Sequence, residues 1–115
     1  MPRLLVAAAL AALALLASSA PATAGSCSVA GKERKLGTTY VTKVSTSGVG
    51  CASALRFVKR YHGCRHRHGG RDGRCARLDG YRCSEKRTTS PTQYDSRATC
   101  RKGSRRISQL YTQNT

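Results

Sequence analysis

His62-Gly63-Cys64-Arg65-His66-Arg67-His68-Gly69-Gly70-Arg71-Asp72-Gly73-Arg74-Cys75 is the one stretch of this chain where residues able to do chemistry crowd together. The guanidinium groups of Arg65, Arg67, Arg71 and Arg74 suit planar, bidentate recognition of phosphate, sulfate or carboxylate. His66 and His68, with His62 beside them, add positive charge below about pH 6.5. The glycines let backbone N–H groups approach a ligand. As a metal site the stretch is poor: Cys64, His66, His68 and Cys75 lack a zinc spacing, and the neighbouring arginines repel a divalent cation. The expectation is an anion-binding loop built from Arg65, Arg67, Arg71, Arg74, His66 and His68, with no metal and no cofactor. Its binding should strengthen from about pH 7.5 to 5.5 as the histidines gain protons. The competing explanation is a solvated Arg-rich loop produced by codon composition alone.

A second basic run, Arg97, Arg101, Lys102, Arg105 and Arg106, surrounds a later turn. Strand alternation would send some of these to one face with Tyr94 or Tyr111, a pattern able to grip a phosphate backbone and stack bases. Catalysis has little to stand on. There is no G-x-S-x-G, and a secreted nuclease would have to force Glu85, His66 and Arg82 together as base and charge stabiliser.

These residues must be positioned by a small chain. Met1-Pro2-Arg3, the apolar run from Leu4 to Ala17 and the A-x-A site Ala22-Thr23-Ala24 make a secretory signal peptide, residues 1–24. The run is too short to span a bilayer and no second one follows, so the expected location is extracellular. Of 115 residues, 91 remain after cleavage; loss of Arg3 lowers the net charge from +16 to +15. That is one domain, and a charge that draws acidic partners. Large apolar residues after Cys27 are only about 12 % of the mature chain, below the range in which a charged chain folds unaided. The six cysteines, 27, 51, 64, 75, 83 and 100, all lie in the exported part, where an even count predicts disulfides.

Residues 25–37 read as a polar N-terminal arm and 38–115 as the folded domain. Thr38–Ser47 is a strand by its β-branched content, with Tyr40, Thr42 and Val44 on one face. Cys51, Ala54, Leu55, Val58 and Tyr61 form one helical stripe over Cys51–His62, with Gly63 as its stop. Leu78–Lys86 alternates with Tyr81, Cys83 and Glu85 on one side. Gln93–Cys100 does so through Tyr94, Ser96, Ala98 and Cys100, and Arg106–Thr112 closes the order β-α-β-β-β. The predicted fold class is α+β: a single helix on an antiparallel sheet, stapled by disulfides. Gly48-Val49-Gly50-Cys51-Ala52-Ser53-Ala54, Gly80-Tyr81-Arg82-Cys83 and Cys100-Arg101-Lys102-Gly103 resemble a group of small secreted actinobacterial proteins without an assigned activity. That resemblance implies export and fold, with Cys27, Cys64 and Cys75 as additions to a three-cysteine frame.

Cys64–Cys75 is the easiest bridge, closing the Arg/His loop. Cys83 and Cys100 are equidistant from Pro91-Thr92 and would face each other across a hairpin, leaving Cys27–Cys51. The rival scheme keeps Cys64–Cys75 and joins Cys51 to Cys83 and Cys27 to Cys100. The functional expectation is a secreted, monomeric cationic domain that associates with cell-envelope polymers, nucleic acid or an acidic protein. Its alternative is a protein-binding module such as a protease inhibitor, presenting Arg65–Arg74; a small hydrolase ranks third.

Overall fold

Strict alternation builds most of this molecule. The computed structural model describes residues 24–37 and 39–115, so the expected leader lies outside the described residues apart from Ala24. The strands are β1 (Ala24–Cys27), β2 (Tyr40–Ser47), β3 (Arg77–Leu78), β4 (Tyr81–Thr89), β5 (Gln93–Lys102) and β6 (Arg105–Asn114). They form one antiparallel sheet in the order β1-β2-β6-β5-β4-β3, and helix α1 (Cys51–Arg67) covers one face. Tyr81 on β4, Tyr94, Ser96, Ala98 and Cys100 on β5, and Ile107, Gln109, Tyr111 and Gln113 on β6 are buried at every second residue. Those parities point to the helix, as a period of two requires. The β3–β4 hairpin turns on Asp79-Gly80, both at positive φ (51° and 79°), the backbone a two-residue type I′ loop demands.

Four expectations need correction. Leu78–Lys86 is not one strand, because the turn at Asp79-Gly80 puts Leu78 on β3 and begins β4 at Tyr81. The N-terminal arm supplies strand β1, whose Ala24 to Cys27 pair with Ser47 to Val44. Tyr40, Thr42 and Val44 do not share a face, because a bulge between Val41 and Lys43 inserts a residue into β2. Val41 and Val44 are thereby both buried, and Tyr40 is left 40 % exposed. The helix does not stop at Gly63 but continues to Arg67, with Cys64 and Arg65 buried beyond the glycine. A mid-helix glycine costs only about 1 kcal/mol, which the disulfide at Cys64 and the buried contacts of Arg65 outweigh. The break comes at Gly69, at φ 137°.

Ala54, Phe57, Val58 and Tyr61 carry the apolar half of the helix into the core, where the Phe57 and Tyr81 rings lie 4.7 Å apart. Disulfides join Cys27 to Cys51, Cys64 to Cys75 and Cys83 to Cys100, the first of the two schemes. They tie β1 to the helix start, the helix end to the loop behind it, and β4 to β5. Among the described residues no helix is long and apolar enough to cross a membrane.

Candidate anion-binding surface

The six residues of the expected anion loop do not form one site. Arg65, His66 and Arg67 belong to the last turns of α1, and Arg65 is 0 % exposed. Its guanidinium points into the protein: one nitrogen donates to the Arg71 carbonyl (2.9 Å) and the Tyr94 hydroxyl (2.9 Å), another to Gln113 Oε1 (3.0 Å). It also lies 4.7 Å over the Tyr111 ring. A charge so enclosed is held by acceptors and a π face, and is not offered to a ligand. Arg65 therefore takes no part in a surface anion site. Arg74 leans toward Glu85 at 3.6 Å. Arg67, His68 and Arg71 remain exposed.

Nor is the loop of 69–74 loose. Arg87 donates to the Asp72 and Gly73 carbonyls (2.8 and 2.6 Å), and the Tyr94 hydroxyl donates to that of Arg71. Gly73 approaches the helix so closely that a Cβ there would lie 1.9 Å from the Arg65 carbonyl oxygen. Arg65 and Arg87 thus bind the loop's own backbone.

Beneath the loop lies a buried polar layer. The Glu85 side chain, 2 % exposed, pairs with Arg87 through one carboxylate oxygen. Its other oxygen accepts from Tyr61 (2.9 Å), Tyr111 (2.6 Å) and Ser96 (3.2 Å). Burial first, and then Glu85, raises the pKa of both phenols, so they remain donors. Burial is the largest single influence on Arg87 and opposes its charge, but Glu85, Tyr111 and Tyr94 together outweigh it and raise its pKa. Arg82 alternates onto the opposite sheet face, so Glu85, His66 and Arg82 are not assembled as a catalytic group.

His62 is 0 % exposed. Its Nδ1 lies 3.2 Å from Arg65 Nε, a group that can only donate, so Nδ1 accepts and Nε2–H donates to Gln109 Oε1 (2.7 Å). The ring is neutral, and burial, then the Arg65 charge, pushes its pKa down to about 3. His66 is also shifted down, by burial first and then Arg65. His62 therefore stays neutral between pH 7.5 and 5.5 and adds nothing to the expected strengthening of binding. A stability effect follows instead. Above pH 6.5 both folded and unfolded chains hold His62 neutral, whereas between 6.5 and 3 only the unfolded chain takes the proton. Acid should therefore lower stability through His62 by roughly 1.4 kcal/mol per pH unit in that window. Urea midpoints at pH 7.5, 5.5 and 4.5 should fall in that order and fall less steeply in His62→Gln; parallel pH profiles for both proteins would exclude His62 as the cause.

The second basic run behaves differently. Residues at the other parity of the strands face away from the helix, and pairing aligns them in rows across the sheet. Arg77 lies opposite Arg82, Arg82 opposite Arg101, and Arg101 opposite Arg106. Two residues along, Ser84, Thr99, Ser108 and Ser45 make a row of hydroxyls. Two further, Lys86, Arg97, Leu110 and Lys43 make a third row. Two adjoining depressions of about 780 and 330 Å³ lie over this face and share Arg97, Thr99 and Leu110. Asp95, bonded to Thr112 at 2.6 Å, is the carboxylate at its margin. Tyr94 and Tyr111 are on the inner face, so the tyrosines and this basic run part company. Lys43, Arg77 and Lys86 belong to none of the expected sites, and Arg82 only to the nuclease arrangement, not to a basic surface. The signal for two of them was present: a hairpin that sets Cys83 against Cys100 also sets Arg82 against Arg101 and Lys86 against Arg97.

Fold and surface together define a disulfide-stapled α+β domain with one basic, hydroxyl-rich sheet face. Comparison with protein-family models, curated proteins and solved structures finds no match to the chain.

Proposed function

We propose that this chain is a secreted binding domain that associates with anionic polymers through the solvent face of its sheet. The observation that carries the reading is the set of directly opposed like charges: Arg77/Arg82, Arg82/Arg101, Arg101/Arg106 and Lys86/Arg97. Each such pair destabilises a sheet by about 0.2–1 kcal/mol. Among the described residues none of these side chains has an ion pair or hydrogen bond to offset that cost. A polyanion would neutralise the row and release its own counterions. Three disulfides and the leader read in the sequence fit an extracellular setting.

The test replaces Arg77, Arg82, Arg101 and Arg106 together by serine. Its control removes equal charge elsewhere, at Lys32, Arg34, Lys35 and Lys59. For a phosphate polymer the row variant should reduce the slope of log affinity against log salt by about 3, and the control by under about 1. The row variant should also melt higher than the wild type at low salt, since opposed charges are relieved. Equal changes in both variants would indicate a diffuse positive field. The fixing of the loop of 69–74 from behind favours a second reading, a rigid loop presented to a protein; such binding would be stoichiometric and persist in salt.

A further inference from the structure

We infer that the polymer bound is a hydroxyl-bearing one, a sugar or polyol chain carrying phosphate, sulfate or carboxylate groups, and that it lies along the Ser/Thr row. The inference rests on the reading above and adds the class of ligand. Ser84, Thr99, Ser108 and Ser45 cross four strands, a span of about 14 Å, and the cationic rows flank them at about 6.7 Å on either side. Arginine and lysine side chains are long enough to lean over that strip, so one chain lying in it can be reached by charge from both edges. The Ser108 hydroxyl donates to that of Thr99 at 3.4 Å, which leaves the row both donors and acceptors for the hydroxyls of a ligand. Leu110 offers the C–H face of a sugar an apolar contact in the third row.

A nucleic acid asks for something else. Sequence-tolerant binding of single strands relies on aromatic rings on which bases stack. Tyr61, Tyr81, Tyr94 and Tyr111 are all buried on the helix side. Tyr40 is exposed, but its ring is taken by Arg34 at 5.2 Å. The face therefore presents charge and hydroxyls without a stacking platform.

The deciding variant removes the hydroxyls and keeps every charge: Ser45→Ala, Ser84→Ala, Thr99→Val and Ser108→Ala in one chain. These positions face solvent, and valine suits a strand at least as well as threonine. Binding is measured at one ionic strength to poly(glycerol phosphate), polygalacturonate, inorganic polyphosphate and oligo-dT. Loss of two or so hydrogen bonds should weaken the hydroxylated polymers by about tenfold and change the other two by less than about twofold. A loss confined to one of the two hydroxylated polymers also supports the inference, and assigns the charged group as phosphate or carboxylate. An equal change for all four polymers, or tighter wild-type binding of oligo-dT than of either hydroxylated polymer, would overturn it. The arginine-row variant separates the two readings. If that variant loses affinity and the hydroxyl variant discriminates nothing, the surface is right and the ligand class wrong. If the arginine-row variant binds like the wild type, the surface itself is wrong.

Discussion

Glu85→Ala is expected to lower stability by about 3–5 kcal/mol, the usual effect of removing one partner of a buried ion pair. Arg87, whose side chain is 10 % exposed, would keep its charge beside an empty space. The Tyr61 and Tyr111 hydroxyls would lose their acceptor while remaining enclosed. Small domains are stable by only about 5–15 kcal/mol in all, so this variant should sit near the edge of folding. Glu85→Gln keeps an acceptor but not the charge, and should fall between it and the wild type. Arg74→Ala is the contrast. Its side chain is 59 % exposed and 3.6 Å from Glu85, which places its effect below about 1 kcal/mol. Urea denaturation of the three variants checks the order. A Glu85→Ala midpoint close to that of Arg74→Ala would mean that the buried layer contributes little.

Full reduction is expected to unfold the domain at room temperature. Much of the space between helix and sheet is filled by Arg65, His62, Glu85 and their partners, and polar groups exchanged from water for one another gain only about 0.5–1.5 kcal/mol per hydrogen bond. The apolar share left is small, and each disulfide contributes on the order of 2–4 kcal/mol. Cys64–Cys75 matters beyond this, because it holds the loop whose carbonyls satisfy Arg65 and Arg87. Far-ultraviolet circular dichroism with and without reductant measures the effect. A cooperative melt in full reductant, within a few degrees of the oxidised protein, would show that packing alone suffices.

The parts of the fold readable in advance were those governed by a period. The helix stripe through Ala54, Val58 and Tyr61, the shared face of Tyr81, Cys83 and Glu85, and the alternation of β5 needed nothing beyond spacing, whereas the turn at Asp79-Gly80 that parts Leu78 from β4 did not show in it. Failures came where a distant contact overrode a local rule. Gly63 reads as a stop until Cys64 and Arg65 are seen anchored beyond it. Thr42 reads as sharing a face with Val44 until the bulge against β6 is placed. Arg65 reads as a ligand-facing cation by its charge, since the acceptors that bury it, the Tyr94 hydroxyl, Gln113 and the Arg71 carbonyl, come from three separate parts of the chain. The basic rows are a property of pairing: Arg82, Arg101 and Arg106 are unremarkable singly and become a row only when two hairpins fix their register.

The alternation that sends tyrosines inward and arginines outward also divides what selection can see. Substitutions on the helix side are constrained by folding, because Glu85, Arg65 and Tyr111 each serve several partners. Changes in the outer rows meet no such brake, and removing an arginine there should leave the fold steadier. A lineage with no use for the rows would shed them by drift. One that needed a different polymer could rewrite the face residue by residue without first securing a more stable scaffold.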